Sequence, residues 1–396
     1  MYQLPLNPAI AHLTQKELDE LMAAYSEGIK ASILIAEFKI NAHVSQIRKI
    51  LPATLLGQTC SICGADKIRE VPSRSARVVT LGKERCTFCT HEDNISCRCP
   101  VCVRERCQRA AEERARLHDQ VVRTIVAAQP KNPVVIDSLS DLSLESAVAL
   151  LAFIRCCPVD ARGVFAPVIN SPVAYTPTVT LTNELLATLC QSHFIAVSEY
   201  TSEKEVEIDG DRLLYDPQRA RWMMSVVDRN NLVESIEVAG LTGEWPAGWQ
   251  NQIKPLWLKI ALAECRQFYD YQAELRGLHV RGDVALNEML NNLLRDFSVG
   301  QVYWAIWRGA QQTADFLVRK GPYKAHAANY MIGACQRNAD HARVSGWAVP
   351  PFRRNFDLPR SMVSYVMFDV LLKIGERGFS EPIRTMGATV ESADVD

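Results

Sequence analysis

Residues 60–107 read CSICGADKIREVPSRSARVVTLGKERCTFCTHEDNISCRCPVCVRERC and hold eight of the thirteen cysteines of the 396-residue chain. CSIC at 60–63 and CTFC at 86–89 are two CxxC pairs separated by 22 residues. Each pair is a tight knuckle whose thiolates converge on one side of the turn, and two knuckles supply the four sulfurs of the tetrahedron that Zn²⁺ prefers. Gly64 gives the first knuckle a permissive backbone. CRCPVCVRERC follows, with Cys97, Cys99, Cys102 and Cys107, a second set of four thiols closed by Cys107 from the first turns of a helix. The expectation is two zinc ions on Cys60, Cys63, Cys86, Cys89, Cys97, Cys99, Cys102 and Cys107. Pairing between the two sets can interleave. His91 could replace a cysteine, but eight thiols do not require it, and iron–sulfur ligation also uses four cysteines. Sites closed by four protein ligands leave no position for water, so the metal is expected to replace a core and not to catalyse hydrolysis.

The paired CxxC spacing resembles a zinc ribbon, with ARVVTL at 76–81 as a ribbon strand. Residues 103–128, rich in Arg, Glu and Ala, predict a long helix. Upstream, Thr14 and Glu17 form a capping-box pattern. From Ala31 to Pro52, ASILIAEFKINAHVSQIRKILP gives one helix through Ile33, Ile35, Ala36 and Phe38 and a second on Val44, Ile47, Ile50 and Leu51. This pair resembles a helix-turn-helix, whose second helix enters the DNA major groove. Lys39 stands where the turn usually has a small residue or glycine. The resemblance implies His43, Ser45, Gln46, Arg48 and Lys49 as DNA-facing residues, with Arg74, Arg77, Lys83 and Arg85 of the metal module available to phosphates.

Beyond QPKNP at 129–133, read as a linker, LSLESAVALLAFIRC and LTNELLATLCQSHF predict helices. IAVSEY, EVEID and RARWMMSVV predict short strands, with a turn at Asp209-Gly210. Helices followed by a hairpin resemble a winged helix. Residues 245–375 have helical periodicity throughout, and Tyr303, Trp304 and Trp307 form a seam of its core. RRNFDLPR at 353–360 predicts a solvated loop. The fold class is therefore mainly α with small β. The expected division is helix-turn-helix-like helices at 1–58, a double zinc-binding module with a long helix at 59–130, a winged-helix-like unit at 134–240, a helical domain at 241–380 and a flexible tail at 381–396. The other five cysteines, 156, 157, 190, 265 and 335, lie in apolar surroundings and read as structural.

Formal net charge is −1, so global electrostatics call for neither nucleic acid nor a membrane. Residues 60–118 carry twelve Lys or Arg and eight Asp or Glu, an excess of four that two four-thiolate zinc sites would cancel. No apolar run approaches the roughly 20 residues of a membrane span, and the N-terminus lacks the pattern of a signal peptide. With clustered CxxC pairs, this points to the cytoplasm. No phosphate loop, GxGxxG, GxSxG or HExxH is present. The sequence thus implies a zinc-binding, duplex-DNA-binding regulator, or an accessory factor of a mobile element or defence system, without catalysis of its own. The alternative is a scaffold whose zinc module and helical half bind partner proteins.

Overall fold

The computed structural model describes residues 1–73, 82–210, 212–278, 283–321 and 324–383. The chain is mainly helical with small antiparallel sheets. It forms two compact units, Met1–Leu117 and His118–Asp396, so QPKNP lies inside the second.

In the first unit, α1 (Gln15–Ser26) starts at the expected capping box, in which Glu17 N donates to Thr14 Oγ1 and the Glu17 carboxylate accepts from Thr14 N at 2.7 Å. After α2 (Ala31–Glu37) the chain turns through Lys39, whose φ of 51° is left-handed, as a glycine-bearing turn would be. The second helix of the hairpin is much shorter than the sequence implies. A 3₁₀ turn at Val44–Gln46 is followed by one α-helical turn, α3 (Ile47–Ile50), before Pro52. Three β-branched residues in this stretch lower its helix propensity, and His43 caps the 3₁₀ turn by accepting from Ser45 N. Ile10, Leu18, Leu21, Tyr25, Leu34, Ile40, Ile47, Ile50, Leu51 and Val71 form the core of this region, while Val44 stays exposed.

A sheet of β1 (Thr54–Thr59), β2 (Asp66–Arg69) and β3 (Glu84–Cys86) follows, antiparallel and in that order. The strand expected at 76–81 falls outside the described residues, as do Arg74, Arg77 and most of the tail. Helix α4 (Pro100–Ala128) runs through the division between the units. Its residues 103–120 are exposed on every side. Helix-forming Ala, Arg and Glu hold this stretch, with local pairs such as Arg116 to Glu113 at 3.1 Å.

In the second unit, Val121 and Ile125 of α4 belong to one core with the helices that follow. These are α5 (Leu144–Cys156) and α6 (Val179–Gln191). Strands β4 (Val164–Phe165), β5 (Ile195–Val197), β6 (Val206–Asp209), β7 (Arg212–Tyr215) and β8 (Trp222–Met224) are short. They form a sheet of order β4-β8-β5 and a separate β6–β7 hairpin that turns at Gly210, φ 59°. Then come α7 (Arg229–Thr242), α8 (Ala247–Glu274), α9 (Asp283–Leu294), α10 (Val299–Lys320) and α11 (Lys324–Ser345). Short α12 (Met362–Tyr365), a π-helical turn at Val366–Leu371 and α13 (Arg377–Ser380) complete it. The regions expected as 134–240 and 241–380 share this single core. Tyr303 is buried in it, stacked on Phe268 with ring centroids 4.0 Å apart. Among the described residues, no helix is long and apolar enough to cross a membrane.

RRNFDLPR is not simply a solvated loop. Arg354 reaches the buried carboxylate of Glu264 at 2.8 Å and Glu376 at 3.1 Å. Arg360 pairs with Asp369 and with Glu376, the latter at 3.4 Å. Removing the guanidinium leaves Glu264 charged and buried, so Arg354→Met should cost about 3–5 kcal/mol of stability. Urea unfolding monitored by circular dichroism checks this; a midpoint unchanged from wild type would contradict it. A fragment beginning at residue 118 should fold without the metal module, because it retains Val121 and Ile125. Starting at 133 removes both, at about 1.5–3 kcal/mol each, and the melting temperatures of the two fragments should differ accordingly.

Candidate metal centre

The knuckles form where the sequence puts them. Cys60 closes β1, and its backbone N–H donates to Ala65 O at 2.8 Å while Gly64, φ 74°, turns the chain back. Ile62 N donates to Cys60 Sγ, and Phe88 and Cys89 N donate to Cys86 Sγ, all at 3.3–3.4 Å. These N–H groups stabilise thiolates. Cys60, Cys63, Cys86 and Cys89 face one another, with Cys60–Cys89 at 3.6 Å, Cys63–Cys86 at 3.3 Å and Cys63–Cys89 at 3.4 Å. A tetrahedron with metal–sulfur distances of about 2.3 Å has edges of about 3.8 Å. The four sulfurs are thus arranged to hold one metal ion.

The second site corrects the expected ligand set. Its members are His91, Cys97, Cys99 and Cys102. His91 Nδ1 lies 3.4, 3.6 and 3.3 Å from the sulfurs of Cys97, Cys99 and Cys102. Cys107 is exposed and outside the cluster. Helix geometry explains the exchange: α4 begins at Pro100, so Cys107 lies five residues beyond Cys102, about 7.5 Å along the axis and about 140° around it. Cys99 precedes the helix, and its sulfur accepts from Cys102 N at 3.4 Å in the manner of an N-cap. Pro100 suits the first helical position, and the helix N-terminus favours a thiolate there.

His91 is 8% exposed, and its other ring nitrogen lies 3.2 Å from Asp93 Oδ1. Asp93 also pairs with Lys67, a buried lysine of β2. That pairing raises the Lys67 pKa and lowers that of Asp93. A carboxylate on the outer nitrogen fixes the tautomer that leaves Nδ1 free to ligate. Sequence reasoning missed this arrangement, although an HxD pattern between two cysteine sets is its trace.

The thiols of the two centres do not ionise alike. Burial works against ionising Cys86, yet the Cys89 and Phe88 N–H groups and neighbouring thiols hold its pKa at about 6. Cys97 is likewise held at about 6, against burial, by the N–H groups of Glu92 and Cys99. Burial and the sulfurs beside them push Cys89 and Cys102 up to about 12. Cys60 is also held below the ordinary thiol value, against burial, by the N–H groups of Ile62 and Cys63, so within the clusters some sulfurs ionise readily while Cys89 and Cys102 resist. A divalent ion removes that conflict.

The DNA-facing residues are only partly brought together. Arg48, Lys49 and Arg85 line one cleft of about 560 Å³ with Glu70. Arg48 Nε donates to Val71 O at 3.0 Å, and Arg85 is 2.7 Å from Glu70. His43, Ser45 and Gln46 are exposed, with His43 and Ser45 bonded to each other at 2.7 Å. Lys83 is exposed and does not line the cleft. Compared with protein-family models, curated proteins and solved structures, the chain matches none.

The chain should take up two metal ions, and the variants should separate the sites. Cys107→Ser should retain both, whereas His91→Ala should retain one. Asp93→Asn should weaken the second site about 10–100-fold. Metal analysis of folded protein with chelator titration provides the check; loss of an ion in Cys107→Ser would restore that thiol as a ligand.

Proposed function

We propose that the protein is an intracellular zinc protein that binds duplex DNA through its first unit and performs no catalysis of its own, as a regulator or an accessory factor does. Zinc fits the donor sets, Cys₄ and Cys₃His, both of the closed structural type. The observation that carries the DNA reading is the cleft in which Arg48 and Lys49, from the N-terminal helices, meet Arg85, from the metal module. Charge adds support. A Cys₃His site carries about −1 where a Cys₄ site carries about −2. With His91 as a ligand, the excess of four cations over 60–118 is therefore not fully cancelled. The shortness of α3 favours phosphate contact over base reading, because a recognition helix of one turn presents few side chains to base edges.

Lys49→Ala should weaken duplex binding and lower its salt slope by about 0.9, the share of one neutralised phosphate. Its stability should stay within about 0.5 kcal/mol of wild type, since the side chain is exposed. Glu70→Gln should act oppositely: it releases Arg85 and removes the anion from the cleft, so affinity and salt slope should both rise. Fluorescence anisotropy on a duplex pool at two salt concentrations distinguishes these outcomes. No binding at low salt, or identical binding by all three proteins, refutes the reading.

A further inference from the structure

The second unit carries an aromatic surface whose inner side packs on the core and whose outer side is open to solvent. We propose that it is a docking site for an acidic peptide segment of another protein, one that inserts an apolar side chain between two carboxylate-bearing positions. The site is formed by Trp304, Trp307 and Arg308 of α10 and by Trp347, Phe352 and Arg353 of the chain beside it.

Two hydrogen bonds pin that chain along the start of α10. Gln301 Nε2 donates to Val349 O at 2.8 Å, and Phe352 N donates to Gly300 O at 2.9 Å. Trp347 consequently meets Trp304 edge to face, with centroids 5.0 Å apart, and Phe352 meets Trp307 at 5.7 Å. The rings are incompletely covered. Trp347 is 50% exposed and Val344 91%, while Trp304, Trp307 and Phe352 are half-buried. Trp304, Trp307 and Arg308 stand at i, i+3 and i+4, so they share a helix face. Pro350 and Pro351, both exposed, stiffen the segment between the aromatic groups. A rigid, half-open tryptophan surface has little order left to lose when it is covered.

The charge pattern selects the occupant. Arg308 and Arg353 are exposed and have neither a hydrogen bond nor an ion pair among the described residues. Nearby arginines behave otherwise: Arg343 is tied to Asp296 and Asp340, Arg354 to Glu264 and Arg360 to Asp369. Arg308 stands one turn from Trp304 on α10, and Arg353 follows Phe352 in the chain, so two uncompensated arginines accompany the aromatic residues. Trp and Arg together make up the composition of binding hot spots, and guanidinium forks pair with carboxylates. An apolar anchor with Asp or Glu on either side satisfies both.

The test uses the full chain and a bead-displayed pool of short peptides whose positions are Asp, Glu, Leu, Phe or Trp. A matched pool with Lys and Arg replacing the acids is the control. The acidic pool should be retained and the basic pool should not. For the best-retained peptide, Trp347→Ala and the charge reversal Arg308→Glu with Arg353→Glu should each raise the dissociation constant at least about tenfold. The charge reversal lies on exposed positions and should fold normally, so it remains informative if Trp347→Ala does not. Lys49→Ala should bind the peptide like wild type, which separates this site from the DNA cleft. Equal retention of the two pools, or unchanged affinity in the charge reversal, overturns the proposal. So does sedimentation showing that these substitutions convert a dimer to a monomer, or binding of a single-stranded oligonucleotide that they abolish while no acidic peptide is retained.

Discussion

The turn from Cys86 to His91 is the constraint on which the first unit depends. It contributes two ligands to one metal and one ligand to the other within six residues. Cys86 N donates to His91 O at 2.8 Å, and Thr90 takes a left-handed φ of 58° to direct the chain from the first site to the second. Ions held at the two sites would therefore not fold independent modules. One would tie the end of β3 to the β1–β2 turn, and the other would tie the start of α4 to the chain just after β3. Among the described residues, few buried apolar side chains lie between β1 and α4 apart from Ile68 and Val71. Structural zinc contributes about 10–16 kcal/mol to folding in small peptides, far more than two such side chains can through burial.

Legibility followed the range of the interaction. The Cys60, Cys63, Cys86 and Cys89 cluster was readable because a CxxC knuckle is a local turn whose geometry travels with the motif. The second cluster was half readable. Counting thiols favoured Cys107, whereas helix periodicity excludes Cys102 and Cys107 from the same point once α4 is known to start at Pro100. The bond between His91 and Asp93 could not be weighed from residue types alone, since a lone histidine is most often an ordinary packed side chain. In the N-terminal hairpin, the apolar spacing identified Ile47, Ile50 and Leu51 as core residues but overstated the helix carrying them. Spacing reports which side is buried; β-branched content and Pro52 limited how much of the stretch is helical.

In the second half, periodicity located α8 to α11 well, because long helices with one apolar face repeat their signal over many turns. The division of the chain was harder to read. QPKNP has the composition of a linker, but Val121 and Ile125 upstream of it already belong to the following core. A boundary set by turn-forming residues and one set by burial need not coincide, and here a continuous helix separates them.

The segment RRNFDLPR joins structural and surface roles in the second unit. Glu264 is almost fully buried, and a carboxylate there is tolerable only with a cation and hydrogen bonds in place. Arg354 supplies them, bridging to Glu376 and lying 4.3 Å from the centre of the Phe379 ring. Arg360 anchors the far end of the same segment through Asp369. With both ends drawn inward, the backbone between them has little freedom. Phe356 and Arg353 then remain outside, the former 97% exposed. A buried ion pair is a poor source of net stability, but it punishes displacement severely, because any shift that separates Arg354 from Glu264 strands a charge. The network therefore specifies where the segment lies more than it strengthens the fold, and this holds the chain that carries Phe352 against Trp307 of α10 in a constant position.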